Sequence, residues 1–367
     1  MAVLTKIETF ELRLPLPRPL ELGSIIITER EYVIVHIFDD EGNRGVAHGL
    51  SRNAPVSATI YRTIAPFWEG QRLEDHPAFY HQSVGANSML GTNGIFWRAL
   101  SLADCALYDL LARRADQPLG EYLGGHNKPV PANLVGCYPT ANETQQSLRD
   151  EIAKLAEYQP HAIKIASCSN YARDTERLRI CRSAIPQGPP LIVDLYNHAE
   201  DIHSLLAEAR QWEMFNLAWL EDPFAFDDYR SLALLGSKLS YPIAMGDEQS
   251  GYRHFQRLIS EGKVGILRLD ATVCGGVRAF LKLAEMAAEY NIPVAGHVFH
   301  HLHSQLACVV PNLQWVESFL PQHGYESIHL VWHDDLKWDN GNYLLTDTPG
   351  IGVAWDDDAI QHYRGVA

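Results

Sequence analysis

The chain has 367 residues, 46% hydrophobic and 20% charged, with a formal charge of −15. That length supports a sizeable core and roughly two domains. An acidic chain without a basic run suits neither nucleic acid nor an anionic membrane surface, and no apolar stretch approaches the ~20 residues of a membrane span. A negatively charged substrate would therefore need local positive charge, which a bound cation can supply.

The N-terminal stretch MAVLTKIETFELRLPL lacks a basic segment followed by an apolar one, so no leader is expected. Lys6 to Leu14 alternates, Glu31 to Phe38 is rich in β-formers, Asp39 to Asn43 reads as a turn, and Gly45 to Leu50 follows. Together these predict an antiparallel sheet. Pro15 to Thr28 reads as a long loop, a candidate flap. Residues 57–122 read as helical, most clearly Ile95 to Arg113, where Phe96, Leu100, Ala103 and Leu107 recur at helical spacing. Gly124-Gly125, Pro129 and Pro131 close this region. The six cysteines are scattered without a C-x-x-C pair, which predicts free thiols and a cytoplasmic setting.

After residue 130, short apolar runs alternate with amphipathic helical stretches. The runs are Asn133–Cys137, Ala162–Ala166, Leu191–Leu195, Ala218–Leu220, Ile243–Met245, Val264–Leu269, Ile292–Ala295 and Leu313–Val316. About eight strand-helix units predict a closed parallel barrel. The expected organisation is a first domain over 1–128, a barrel over 129–330, and a tail over 331–367 that packs back on the first domain.

In such barrels the functional side chains stand at the C-terminal ends of strands. Five successive predicted strands end in Asp194, Glu221, Asp247, Asp270 and His297, and Glu317 follows on the next. Three carboxylates on adjacent strands would repel and raise one another's pKa unless a cation joined them, and an all-oxygen set suits Mg²⁺. An Asp beside a His on the neighbouring strand can fix the imidazole tautomer and raise its basicity.

The ordered set Asp194, Glu221-Asp222-Pro223, Gly246-Asp247-Glu248, Asp270 before Gly275-Gly276, and His297 resembles the mandelate racemase group of the enolase superfamily. The stretch Ala106–Gly125 resembles the end of that family's capping domain. The resemblance implies an α/β fold, a modified TIM barrel (β/α)7β with an N-terminal α+β capping domain. It implies Mg²⁺ held by Asp194, Glu221 and Asp247, with Glu248 the alternative third ligand. It implies abstraction of the proton α to a carboxylate through an enediolate. His297 with Asp270 would be the acid–base pair, Lys164 would contact the substrate carboxylate, and Glu317, if protonated, would hydrogen-bond the developing oxyanion. Asp270 argues against the muconate-lactonizing branch, which carries Lys there.

The family's Lys-x-Lys is incomplete, because Ala166 replaces the second Lys. A two-base racemase loses a base; a dehydratase, in which one His can serve both leaving groups, does not. The leading expectation is therefore dehydration of an aldonate or aldarate to a 2-keto-3-deoxy acid. The alternatives are a racemase or epimerase of an α-hydroxy acid, and a non-catalytic carboxylate-binding relative. Tyr196 and His48 are candidate acids, Tyr138 and His48 candidate substrate contacts, and His300, His301 and His303 read as substrate contacts or helix-start residues. The expected partners are a small-molecule carboxylate and further copies of the chain.

Overall fold

The structure is a computed structural model that describes residues 2–22, 25–140, 142–199, 201–334 and 336–365. Three antiparallel strands open it: β1 (Leu4–Leu22), β2 (Ile25–Asp39) and β3 (Arg44–Leu50), in that spatial order. The stretch expected as a loop, Pro15 to Thr28, is instead the outer part of a long β1–β2 hairpin, apart from residues 23–24, which lie outside the described residues. Pairing shifts between Pro15 and Leu20 and then resumes with Leu20 opposite Ile27. Prolines 15, 17 and 19 cannot donate to a ladder, so the strand tolerates them only with this irregularity. Leu16 and Leu20 of this arm pack against Val135, Tyr138, Ala166, Phe319 and Tyr325 at the barrel mouth. Arg18 reaches Glu151 at 2.7 Å.

The helix Ile95–Arg114 packs on β3 and buries an unbroken run from Ala99 to Leu110. Its Asp109 is fully buried and accepts from the backbone N–H groups of Val46 (2.8 Å) and Ile351 (2.7 Å) and from Arg113 Nε (2.7 Å). One carboxylate thus ties the sheet, the helix and the C-terminal tail. Its Asp104 sits at the start of helix Gly276–Glu289 and accepts from Arg278 N at 3.2 Å. That contact demands glycine at 276: φ is +87° and a Cβ would lie 2.3 Å from Asp104 Oδ2.

The barrel strands are β4 (Val130–Gly136), β5 (Ala162–Ala166), β6 (Leu191–Asp194), β7 (Leu217–Glu221), β8 (Ile243–Met245), β9 (Ile266–Leu269), β10 (Val294–Gly296) and β11 (Leu313–Ser318). Each is parallel to the next, and β11 closes on β4 with Glu317 opposite Asn133. Helices fill the seven connections, which is the (β/α)7β arrangement expected. Helix starts coincide with side-chain caps at Thr144, Asn170, Asp201 and Asp228. In the tail, β12 (Trp332–Asp334) pairs with β15 (Val353–Trp355), while β13 (Lys337–Asp339) and β14 (Asn342–Leu344) extend the sheet beside the start of β4.

Candidate active site

Residues i and i+2 of a strand face the same side, so the barrel interior is built in layers. The floor is apolar: Ala162, Ile192, Trp219, Ile266, Ala295 and Trp315 pack together. Two residues further along the same strands stand Lys164, Asp194, Glu221, Arg268, His297 and Glu317. A further step of two gives Ala166, Tyr196, Asp270 and Phe319. The charged layer is thus a consequence of strand register.

Within it, Lys164 Nζ lies 2.6 Å from Glu221, 2.9 Å from Asp194 and 3.1 Å from Glu317. Arg268, fully buried, lies 2.6 Å from Glu317 and 3.2 Å from Glu221. Trp219 Nε1 donates to the other Glu221 oxygen at 2.8 Å. Lys164 and Arg268, with His297 beside Asp247, therefore face five buried carboxylates: Asp194, Glu221, Asp222, Asp247 and Glu317. The excess is visible in their acidities. Burial and the neighbouring Glu221 and Asp247 push Asp194 up to about 7. Burial and like charges also raise Asp222 and Asp247. Burial pushes Glu221 and Glu317 up too, but Arg268 and Lys164 outweigh it and hold both low, Glu317 at about 2.

The resemblance has Glu317 donate a hydrogen bond if protonated, whereas Arg268 at 2.6 Å and Lys164 at 3.1 Å favour its carboxylate form. Arg268, which the strand-end pattern alone does not single out, is its nearest cation. The parity of the strand identifies it: Arg268 is two residues before the rim residue Asp270 and so faces inward.

Carboxylate oxygens of Asp194, Glu221 and Asp222 lie within 4.8 Å of one another. Asp222 enters this group because its backbone is left-handed (φ 43°) just past the end of β7. Its Oδ1 is buried with no hydrogen-bond partner among the described residues. Asp247, the expected third ligand, is not in this group of three, where Asp222 stands instead; its Oδ2 lies 3.6 Å from His297 Nε2. Glu248, the alternative ligand of the sequence reading, is taken up in ion pairs with Arg52 and Arg98. Burial pushes its pKa up, but the two guanidiniums outweigh that and hold it well below the usual carboxylate range. An orphaned carboxylate oxygen, three acids close together and a net negative cluster of oxygen donors fit a hard divalent cation such as Mg²⁺.

His297 Nδ1 pairs with Asp270 Oδ2 at 2.9 Å. The other oxygen of Asp270 accepts from Thr272 N and Thr272 Oγ1, both at 2.7 Å. Asp270 is thus an acceptor on both sides, which places the proton on Nδ1 and leaves Nε2 toward the cavity. Burial lowers the His297 pKa, but Asp247 and Asp270 raise it more, to about 9.

One cavity of about 330 Å³ is lined by Lys164, Asp194, Asp247, His297 and Glu317 together with Tyr138 and Tyr196. Tyr196 is held in a left-handed turn (φ 50°), its N–H donates to Asp194 Oδ1 at 2.9 Å, and its buried hydroxyl lies against the Tyr138 hydroxyl. Ala166 packs with Tyr138, Tyr196 and Phe319, so an apolar and phenolic wall stands where a second Lys was sought.

His48, expected as an acid or substrate contact, does not line this cavity; it lines a smaller adjoining one that shares Val298, Phe319 and Glu326 with it. It is buried in a nest of rings with His301, Phe299, Trp332 and Trp355, and burial lowers its pKa to about 3. His300, His301 and His303 are not among the residues lining the cavity; they stand in the helix His300–Ala307. His303 is structural: Nδ1 pairs with Val298 O at 2.9 Å and Nε2 accepts from Ala271 N at 3.1 Å.

Residues 147–359 match the family model described as "Enolase C-terminal domain-like". L-talarate/galactarate dehydratase of Salmonella typhimurium is 28% identical, across 94% of this chain and 87% of that protein. Arabinonate dehydratase of Saccharolobus solfataricus is 24% identical, across 91% of each. A crystal structure of an L-talarate/galactarate dehydratase variant liganded with Mg and L-glucarate superposes with a TM-score of 0.89 at 25% identity, covering 100% of this chain and 92% of that one.

Proposed function

The chain belongs to the enolase C-terminal domain-like family, and on that premise we propose that it is a Mg²⁺-dependent hydro-lyase that dehydrates a sugar acid to a 2-keto-3-deoxy acid. The observation that carries this reading is the shared cavity: Lys164, the carboxylates and His297 line it together, with Asp270 hydrogen-bonded behind His297. The dehydratase relatives support the reaction class. Asp194 and Glu221 would hold the ion, with Asp247 or Asp222 completing the set.

When bound, Mg²⁺ supplies positive charge that engages these carboxylates, stabilises charge developing on the substrate carboxylate and lets His297 lose its proton nearer neutral pH. Lys164 binds the same carboxylate end and adds to that stabilisation. His297 Nε2 takes the proton from the carbon α to the carboxylate, and the C–H electron pair moves into the carboxylate as an enediolate. The electrons then expel the β-hydroxyl, which takes a proton from the same imidazole, and the enol becomes the keto acid. Asp270 holds the tautomer this requires. Loss of both groups on one face needs no base at Ala166, and Tyr196 is the candidate for an acid on the other face.

The test is a screen of aldonic and aldaric acids with Mg²⁺ for keto-acid formation. The reading expects turnover that a chelator and His297→Asn both abolish. Inverted substrate without dehydration would favour a racemase instead. The two dehydratase relatives act on a diacid and on a monoacid, so the reaction class alone leaves that choice open.

A further inference from the structure

The cavity has a roof as well as a floor, and the roof carries a cation whose charge the described residues do not balance. Arg30, on β2 of the hairpin arm, is 7% exposed and lines the same cavity as Lys164 and His297. Among the described residues its guanidinium makes one long hydrogen bond, to Tyr325 O at 3.5 Å, and its Nε has no partner. Its Cζ lies over the Phe319 ring, 5.8 Å from the ring centroid. The other cavity cations are engaged: Lys164 by three carboxylates and Arg52 by Glu248. Glu326, which also lines the cavity, accepts from Tyr32 Oη and from the N–H groups of Ser327 and Ile328. It is not within ion-pair distance of Arg30.

A buried charge without a partner is costly, and a planar guanidinium is shaped to take a carboxylate or phosphate through two hydrogen bonds. We infer that Arg30 receives a second anionic group at the far end of the substrate, a terminal carboxylate, and so makes the enzyme selective for aldaric diacids over aldonic monoacids. Lys164 and the rim acids hold the reacting end on the barrel floor; Arg30 holds the other end from the capping arm. In a chain of net charge −15, a diacid needs such a local cation more than a monoacid does. This inference rests on the dehydratase reading for its chemistry but not for its binding geometry.

The experiment compares native protein with Arg30→Met and Arg30→Lys, all with Mg²⁺, on galactarate and galactonate. Native enzyme is expected to prefer the diacid. Arg30→Met should cut the diacid-to-monoacid ratio of kcat/KM by roughly 10- to 100-fold, the range for losing charged hydrogen bonds, mainly through KM. Arg30→Lys should recover part of the ratio. Calorimetric binding of unreactive adipate and hexanoate gives a second readout: native protein should bind adipate tighter, and Arg30→Met should erase the difference. Thermal unfolding confirms that the variants fold. A monoacid preference in native enzyme, an equal loss on both substrates, or better turnover of a terminal phosphate ester of galactonate overturns the inference. If neither acid is turned over but adipate binding depends on Arg30, the dehydratase reading falls and Arg30's assignment stands. If Arg30→Met leaves adipate binding unchanged, or adipate does not bind, the assignment falls.

Discussion

Replacing Asp270 with Asn exchanges one carboxylate oxygen for an amide nitrogen and reverses a proton's position. Asp270 Oδ1 accepts two hydrogen bonds from Thr272, so the oxygen of the new amide would turn toward Thr272 and its NH₂ toward His297. His297 Nδ1 must then accept rather than donate, and the proton moves to Nε2, the nitrogen that should act as base. The loss of a buried anion 2.9 Å from the ring also removes part of what holds the His297 pKa near 9. A wrong-tautomer replacement of this type costs on the order of 10⁴ in kcat, about 5 kcal/mol of barrier. Every hydrogen bond to Thr272 survives, so stability should change by less than about 1 kcal/mol. The assay is keto-acid formation at saturating substrate beside urea unfolding of the same preparation. Activity above a tenth of native in a folded Asp270→Asn protein would refute the dyad as the base.

Three further outcomes follow from the structure. Asp109→Ala strands two buried backbone N–H groups and unpairs Arg113, and should destabilise the fold by about 3–5 kcal/mol in urea unfolding while ligand contacts stay intact. His48 is neutral in the folded chain with a pKa of about 3 against 6.5 unfolded, so the unfolded state binds the extra proton as pH falls. Its contribution is whole above pH 6.5 and is lost on acidification toward pH 3; His48→Phe should therefore lose less stability than native between pH 7 and pH 5, by about 2 kcal/mol in urea unfolding. Tyr196→Phe should lower kcat by about 10²-fold if its cavity-lining hydroxyl is the opposite-face acid, and an unchanged kcat in the same keto-acid assay would make it a wall.

The barrel and the rim are legible in the sequence because period-2 burial and the strand-end rule act locally. Asp194, Glu221, Asp270 and His297 can each be placed by counting from an apolar run. Arg268 is reached by the same counting one step earlier, but it lies inside the run rather than at its end, and unlike Lys164 it matches no residue that the family resemblance assigns. Glu317 shows the consequence: its ionisation is set by Arg268, 49 residues away in the chain. The proline-rich segment before Thr28 reads as a loop because proline weakens strand propensity, and only tertiary packing of Leu16 and Leu20 on the barrel mouth makes it an arm. His48 sits two residues from the end of β3, yet it is buried among rings from Phe299, His301, Trp332 and Trp355 rather than lining the main cavity, and no local pattern announces those contacts. Arg30 and Asp222 depend likewise on what other elements fail to supply, which is a property of the assembled site.

The central claim is that carboxylates from separate barrel strands converge on one divalent ion within reach of His297. Crystals grown with Mn²⁺ in place of Mg²⁺ and measured at the manganese absorption edge test it directly. The account predicts a single strong anomalous peak in the cavity, bonded to Asp194, Glu221 and either Asp247 or Asp222. A peak on Glu248 or the histidines of the 300–303 stretch, or none in the cavity at millimolar Mn²⁺, would contradict it.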